Sequence, residues 1–443
     1  MKIYRNLRIF TMDENGTWYS DGYIKVNREK IEAVGDCKEL TDRELAECEV
    51  IDGKGRICIP GMTTTHAHFY GQFARGMALS EPICNWQQVL TRMWWKFDKK
   101  LTDEMTYYSA MMGLIEGLKY GTTTYFDHQA SANATEGSLD LIESAVRQAG
   151  ARACLAYEVS DRDGLVHRKS GIEENVRFIK KVNQNEGTQI KALFGLHAGY
   201  TLDRETLEIC ADYGKQLDVG FHIHVAESMA DVSESYRLYD KHVVERLADA
   251  GILGNKTIAA HGVNVGPEQW EIFRATGTTV AHNVQSNTNN AVGICPVVRM
   301  MNDGVAVALG GDGYTYDLFT ELGFAVIMQR TRENDPRVFS SGQIRQFAFE
   351  NPGKLAERIF GVRTGVLQAG AAADFVILNY VEPTPINDKN LFSHMTSAFS
   401  GHVADVVVAG KEVVRDGVCT QVDEERILAQ CREQAAKLWD SLN

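Results

Sequence analysis

The sequence predicts an α/β fold: a (β/α)8 TIM barrel with a small β-sandwich formed by the N- and C-terminal segments. Three observations point there. Short apolar strands alternate with amphipathic helical stretches through the middle of the 443-residue chain, the pattern of parallel β/α units. Both ends of the chain show β-type alternation punctuated by glycine and Asn-Gly. Histidines and acids concentrate where the predicted strands end, the face on which such barrels carry their active sites. A doubly wound sheet is the alternative, but it more often has fewer strands.

Taken in order, KIYRNLRIFTM, GYIKVNREKIEAVG and CEVIDGKGRICIPG supply strands within residues 1–60. Eight barrel strands follow, at 61–69 (GMTTTHAHF), 121–128, 151–159, 190–198, 220–227, 256–263, 278–284 and 305–312. Helical patterns lie between them, EMTYYSAMMGLIEGLKYG and DKHVVERLADAG among them. The second stops at Gly251, where a helix C-terminus favours glycine. GVLQAGAAADFVILNY and ADVVVAGKEVVRDG then return to strand patterning. Residues 61–364 are thus the expected barrel domain, and 1–60 with 365–443 the composite β-sandwich domain. One connection, Tyr70 to Leu101, is unusually long for a loop. It carries Trp86, Trp94 and Trp95, which suits either a lid over the barrel mouth or a packing element.

Bulk properties exclude more than they identify. Apolar residues make up 44% and charged residues 24%, an ordinary globular balance that permits a large core without disulfides. Lys+Arg 46 against Asp+Glu 59 gives a net charge of −13, which argues against a general nucleic-acid binder or a basic membrane-surface protein. No apolar run is long enough to span a bilayer, and MKIYRNLRIFTMDENG lacks the apolar stretch of a signal peptide. The nine cysteines are scattered, with no CxxC pair. This predicts a reduced, cytoplasmic protein.

The chemistry lies at the strand ends. His66 and His68 are two apart, so on a strand they face one side and both reach a single metal. His224 and Asp312 complete three nitrogens and one oxygen, an open site of the kind that catalytic zinc occupies. Iron or manganese suits the same ligands. His222 and His224 share a face, and spacing alone does not choose between them. Glu227, just past the strand end, is placed as a proton shuttle beside an activated water. His261 ends the sixth predicted strand.

With those residues in place, the chain resembles the amidohydrolase superfamily, in the aminohydrolase branch that includes triazine hydrolases, guanine deaminase and adenosylhomocysteine deaminases. The matching motifs are PGMTTTHAHF, HVAE, AAHGV, HNVQSN, LGGDG and GVLQAGAAADFVIL, spread over nearly the whole chain. The resemblance implies His66, His68, His224 and Asp312 as metal ligands, which selects His224 over His222. It implies Glu227 as proton-transfer acid and base, and His261 and Asp312 as partners of the attacking water. Binuclear members carry a bridging lysine at the end of the fourth strand. Here that strand ends GLHAGY and Lys191 sits at its other end, so one divalent metal is expected, Zn2+ first and Fe2+ as the alternative.

The implied reaction is hydrolytic removal of an amino group from a C=N carbon of a nitrogen heterocycle, releasing ammonia. WWKFDKKL, FDHQAS and SNTNNAVG resemble the SsnA-type aminohydrolases, which suggests a purine-like ring. His197, in HAGYT where relatives show HAPYT, is expected at the substrate. His128, Trp86, Trp95 and Gln72 are further candidates for substrate binding, as are Gln129 and either Arg162 or Arg168. The stretch CNWQQVLTRMWWKFD has no acid before Asp98, which argues against a ribose-binding nucleoside deaminase. Alternatives are the same machinery with chloride or alkylamine as leaving group, or an adenosylhomocysteine/methylthioadenosine deaminase. A ring-opening, dihydropyrimidinase-like enzyme is opposed by the missing lysine and the HVAE motif. A scaffold protein that merely kept the fold is opposed by the complete ligand set. A homodimer or higher homo-oligomer is a family expectation.

Overall fold

The computed structural model describes residues 1–78, 81–184 and 187–442. Two all-parallel sheets occupy its middle. One has four strands, Met62–Ala67, Thr122–Gln129, Arg152–Tyr157 and Ile190–Ala192, paired in that order. The other has five, Phe194–Ala198, Phe221–Val225, Ile258–His261, Thr279–His282 and Val307–Leu309. Every residue of Met62–Ala67, Thr122–Gln129 and Arg152–Tyr157 is buried, as parallel strands covered by helices on their outer face must be.

The expected strand 190–198 is interrupted only at Leu193, so a single run of chain joins both sheets. The sheets also meet by backbone at both margins. His66 O accepts from Gly311 N (3.1 Å) and Asp312 N (3.0 Å), and Val159 O accepts from His197 N (2.9 Å). The remaining strands match the expected ranges, trimmed by one to three residues at most ends, where the chain leaves the ladder to enter the loops, and Thr122–Gln129 runs one residue past its expected end. The helix Val243–Asp249 is followed by Gly251 at φ 74°, the left-handed turn that glycine adopts without a Cβ clash.

The two ends of the chain share one nine-stranded sheet. Its order runs Val418–Cys419, Lys411–Arg415, Val403–Val408, Phe375–Leu378, Ile57–Pro60, Lys2–Phe10, Trp18–Asn27 and Lys30–Asp36, with Glu49–Asp52 also on Lys2–Phe10. Tyr4 Oη donates to Glu412 Oε1 at 3.4 Å. Flat, their strands would lie about 19 Å apart, four spacings of about 4.8 Å, so the sheet curls over. The enclosed core holds Leu7, Ile9, Ile24, Phe375 and Val407. A buried ion pair, Arg152 Nε to Asp374 Oδ2 at 3.0 Å, joins it to the parallel strands.

The C-terminal helix Glu424–Leu442, expected within the terminal domain, packs on helix Asp103–Lys119. Trp439 Nε1 donates to Phe73 O at 2.7 Å. The Tyr70–Leu101 connection, read from sequence as a loop, is helical over Trp86–Phe97. Residues 79 and 80 of that connection lie outside the described residues.

Candidate active site

The C-terminal ends of the parallel strands converge on a cavity of about 580 Å³ whose floor includes His68, His224, His261, Asp312 and Glu227. That is an ordinary size for a small-molecule site. Two floor residues, His261 at 76° and Asp312 at 58°, and Ala226 next to Glu227, at 49°, sit at positive φ. Each costs about 1–3 kcal/mol, and neighbouring hydrogen bonds hold each in place. Asn264 N and Nδ2 hold Ala226 O, at 2.9 and 3.2 Å. His66 O holds Asp312 N.

Hydrogen bonds fix the ring tautomers. His68 Nδ1 lies 2.6 Å from His128 O, and His224 Nδ1 lies 2.7 Å from His197 O. A carbonyl only accepts, so each Nδ1 carries the hydrogen and each Nε2 keeps its lone pair. These two bare nitrogens face each other at 3.2 Å, and Asp312 Oδ1 lies 3.3 Å from His68 Nε2. His66 Nε2 is 3.8 Å from the same oxygen and is buried without a hydrogen-bond partner among the described residues. Converging lone pairs with no proton between them repel unless a cation sits at their centre. The donor set and its spacing fit a divalent ion of the zinc type, with ring Nδ1–H groups oriented by carbonyls as is usual for such ligands. His222 does not join this set. Its Nε2 lies 2.8 Å from His66 Nδ1 and steadies that ring from behind.

Burial and neighbouring charge set the protonation. Burial pushes His66 and His224 well below the usual imidazole range, and the adjacent histidines push them further. Burial, with Asp312 and Asp231 nearby, raises the Glu227 carboxyl well above the ordinary range. Burial works against Asp312 as well, but His261, His68, the Ser286 hydroxyl and the Gly313 amide outweigh it and hold the group below its usual value. His261 Nδ1 lies 2.8 Å from Asn287 Oδ1, while its Nε2 is 3.7 Å from Glu227 Oε2 and 3.8 Å from Asp312 Oδ2. Helix Val284–Asn289 thus steadies two floor residues, because Ser286 Oγ also donates to Asp312 Oδ2 at 2.7 Å. Buried Glu321 anchors the start of that helix by accepting from Gln285 N and Nε2.

The substrate-side expectations divide. His197, Trp86 and Trp95 line the cavity, and so does Arg162. Trp95 stands edge-on to His197 with centroids 6.4 Å apart, and Arg162 Cζ lies 5.3 Å from the Trp95 ring. Arg162 is paired to buried Asp98 and Lys99 to Asp163, so the 86–101 segment is fastened at the cavity rim. Trp94 packs against Tyr70 and Phe97, so this segment both roofs the cavity and packs into the core.

His128 and Gln72 are not brought to the cavity. His128 is fully buried and stacked on His222 at 4.5 Å, beneath the cluster. Gln72 Nε2 is spent on His68 O and Tyr316 Oη. Gln129 is fully buried too, and Arg168 bonds Glu205 and Thr206. Their strand or loop positions suggested exposure to substrate, but His128 lies behind the histidine cluster, and Gln72 and Arg168 are held by other side chains. Gly199 stands where a Cβ would fall 2.4 Å from Val243 Cγ2. Sequence reasoning missed Glu158, which follows the strand Arg152–Tyr157 and lines the cavity. Its only signal was a lone acid near the end of the expected strand 151–159.

A parallel β/α scaffold with this donor set at its strand ends is the architecture of a metal-dependent hydrolase. The chain belongs to the amidohydrolase family, matched over residues 57–413. It is 30% identical over 415 residues to a 5'-deoxyadenosine deaminase of Methanocaldococcus jannaschii, covering 93% of this chain and 95% of that one. It is also 30% identical over 437 residues to a 5-methylthioadenosine/S-adenosylhomocysteine deaminase of Bacillus cereus, covering 96% of each. Among solved structures, a zinc-bound adenosine deaminase from Xanthomonas campestris superposes with TM-score 0.88 at 20% identity, covering 99% of this chain and 98% of that one. Atrazine chlorohydrolase of Arthrobacter aurescens, complexed with zinc and atraton, does so with TM-score 0.86 at 24% identity, covering 98% and 100%.

Proposed function

We propose that this chain is a metal-dependent deaminase that removes an amino group, as ammonia, from a C=N carbon of a purine-like nitrogen heterocycle. The observation that carries the reading is the pair of bare nitrogens, His68 Nε2 and His224 Nε2, 3.2 Å apart beside Asp312, with Glu227 and His261 at the same floor. His66, His68, His224 and Asp312 would hold one divalent ion, zinc first and iron second. When bound, the ion would lower the pKa of water to about 7 and so supply a nucleophile at neutral pH.

The remaining steps belong to this chain's own side chains. His261 Nε2, with its Nδ1–H turned to Asn287 Oδ1, is the lone pair that receives a proton from the attacking water. Asp312, kept ionised by its histidine neighbours and by Ser286, holds the water towards the ring. Glu227 has one oxygen near His261 and another, Oε1, without a partner among the described residues. It carries the water's first proton to the ring nitrogen and the second, from the hydroxyl now on carbon, to the departing amine, and its raised affinity for a proton suits both transfers. The roof of Trp86 and Trp95 supplies flat apolar surface to a planar ring.

In the same reading the parallel strands close as one (β/α)8 barrel over residues 61–364, which the backbone bonds at both sheet margins support. The curled terminal sheet is then the small β-sandwich of residues 1–60 and 365–443, without the last helix. Nine free cysteines suit a cytoplasmic location, and a homodimer follows from the family resemblance. The deciding experiment is an ammonia-release screen of zinc-loaded protein against aminopurines, pterins, aminopyrimidines, triazines and adenosine derivatives. Release from one of these classes is the expected result. Release of chloride or alkylamine in place of ammonia would move the assignment to the other leaving groups.

A further inference from the structure

Two acceptors stand side by side on the cavity wall next to the histidine cluster. The first is on His197. Thr201 Oγ1 donates to Ala198 O at 3.1 Å, so towards His197 Nδ1, 2.7 Å away, it acts as the acceptor. His197 Nδ1 therefore carries the ring hydrogen, and Nε2 presents a lone pair. The second is on Glu158, whose side chain is 4% exposed. Oε1 is turned towards the ring nitrogens of His68 and His128, at 3.4 and 3.5 Å, and makes no hydrogen bond among the described residues. Oε2 lies 3.9 Å from His197 Nε2. That is too far for the two to satisfy each other, and a carboxyl offers an acceptor oxygen in either protonation state. Both residues line the cavity.

We propose that Glu158 and His197 form an acceptor pair that selects a heterocycle presenting two neighbouring N–H donors. A 2-amino-4-oxo ring, guanine-like or pterin-like, has such an edge in its lactam N–H and adjacent amino group. An adenine-type edge sets an amino group beside a ring lone pair, and that lone pair would meet an acceptor head-on. Glu158 is then a specificity-determining residue, and this narrows the purine-like assignment made above, on which it rests. It separates this chain in substrate from the adenosine-type deaminases to which it is 30% identical.

Binding without turnover tests this apart from the reaction itself. In the Glu227→Gln background, calorimetry on zinc-loaded protein would compare 2-aminopyrimidin-4-one with 2-aminopyrimidine, which lacks the lactam N–H. The first should bind at least about tenfold more tightly, the discrimination expected when a buried acceptor is either met or left unpaired. Adding Glu158→Gln, which turns a donor into the site, should bring the two ligands to within about twofold. Equal binding by the Glu227→Gln protein, no binding of either ring, or a preference that survives Glu158→Gln would overturn the proposal. Loss of zinc in Glu158→Gln would overturn it as well, since Glu158 would then act through His68. If the preference holds but wild-type protein releases no ammonia from any ring, the deaminase reading fails and the acceptor pair stands.

Discussion

The floor and the roof of the cavity are built by opposite means. The floor consists of side chains at successive parallel strand ends, fixed by carbonyls and by a helix immediately downstream. His68 is oriented by His128 O, His224 by His197 O, and Asp312 by Ser286. The roof is a single excursion of chain between one strand and its helix, fastened at the rim by Arg162–Asp98 and Lys99–Asp163. A floor of this kind fixes the reaction, because metal ligands and proton carriers tolerate little displacement. A fastened roof sets how tightly a flat ring is held, since it can be rebuilt without moving any strand.

The comparison breaks most directly at the floor. His68→Ala removes a nitrogen 3.2 Å from His224 Nε2. Bound zinc should fall to background by metal analysis, and ammonia release by about three orders of magnitude or more, since the ion supplies several kcal/mol of barrier lowering. Glu227→Gln keeps the shape and removes only the proton. The turnover rate should fall by about 10²–10⁴ with zinc content unchanged. Wild-type turnover in that variant would remove Glu227 from the proton path.

These two outcomes probe what the sequence already displayed. A two-residue spacing on a strand suffices to put His66 and His68 on one face, and acids or histidines at strand ends stay legible however the barrel is arranged. What was hidden depended on depth and on distant partners. His128 and Gln72 carry the same residue-type signals as His197, yet one lies under the cluster and the other bonds Tyr316, 244 residues away. Glu158 was overlooked because it falls inside the expected strand 151–159 with no histidine or acid at a spacing that would mark it. Only the ring nitrogens packed beside it mark it as unusual. The helix 86–97 was unreadable for another reason. Its apolar residues face the cavity and the core together, so no single amphipathic stripe appears.

Stability ranks next, and it separates the two parts of the fold. Arg152 and Asp374 are both buried, and Asp374 also accepts from Ala409 N at 2.7 Å. Asp374→Ala leaves the guanidinium unpaired and should cost about 3–5 kcal/mol, read as a lowered denaturation midpoint. Below that midpoint the ammonia rate should be unchanged, because the pair joins the terminal sheet to the starts of the parallel strands, away from the floor. Behind the floor, His222→Ala removes the partner of His66 Nδ1. It should weaken zinc binding by about 10–100-fold, measured by chelator competition, with near-normal turnover once zinc is saturating.

The smallest effect is expected in the roof, and it is the one that tests whether floor and roof divide the work. Trp95 presents its ring to the cavity, edge-on to His197 and under Arg162. Replacing it with leucine keeps an apolar side chain and removes the aromatic face. An aromatic contact is worth about 0.5–1.5 kcal/mol beyond its buried area, so KM should rise about two- to tenfold. Turnover at saturation and zinc content should stay as in wild type, because no floor residue hydrogen-bonds to Trp95. A fall in turnover with unchanged KM would mean that the indole helps to align the floor through His197. The roof would then share in the chemistry, and the division drawn above would fail.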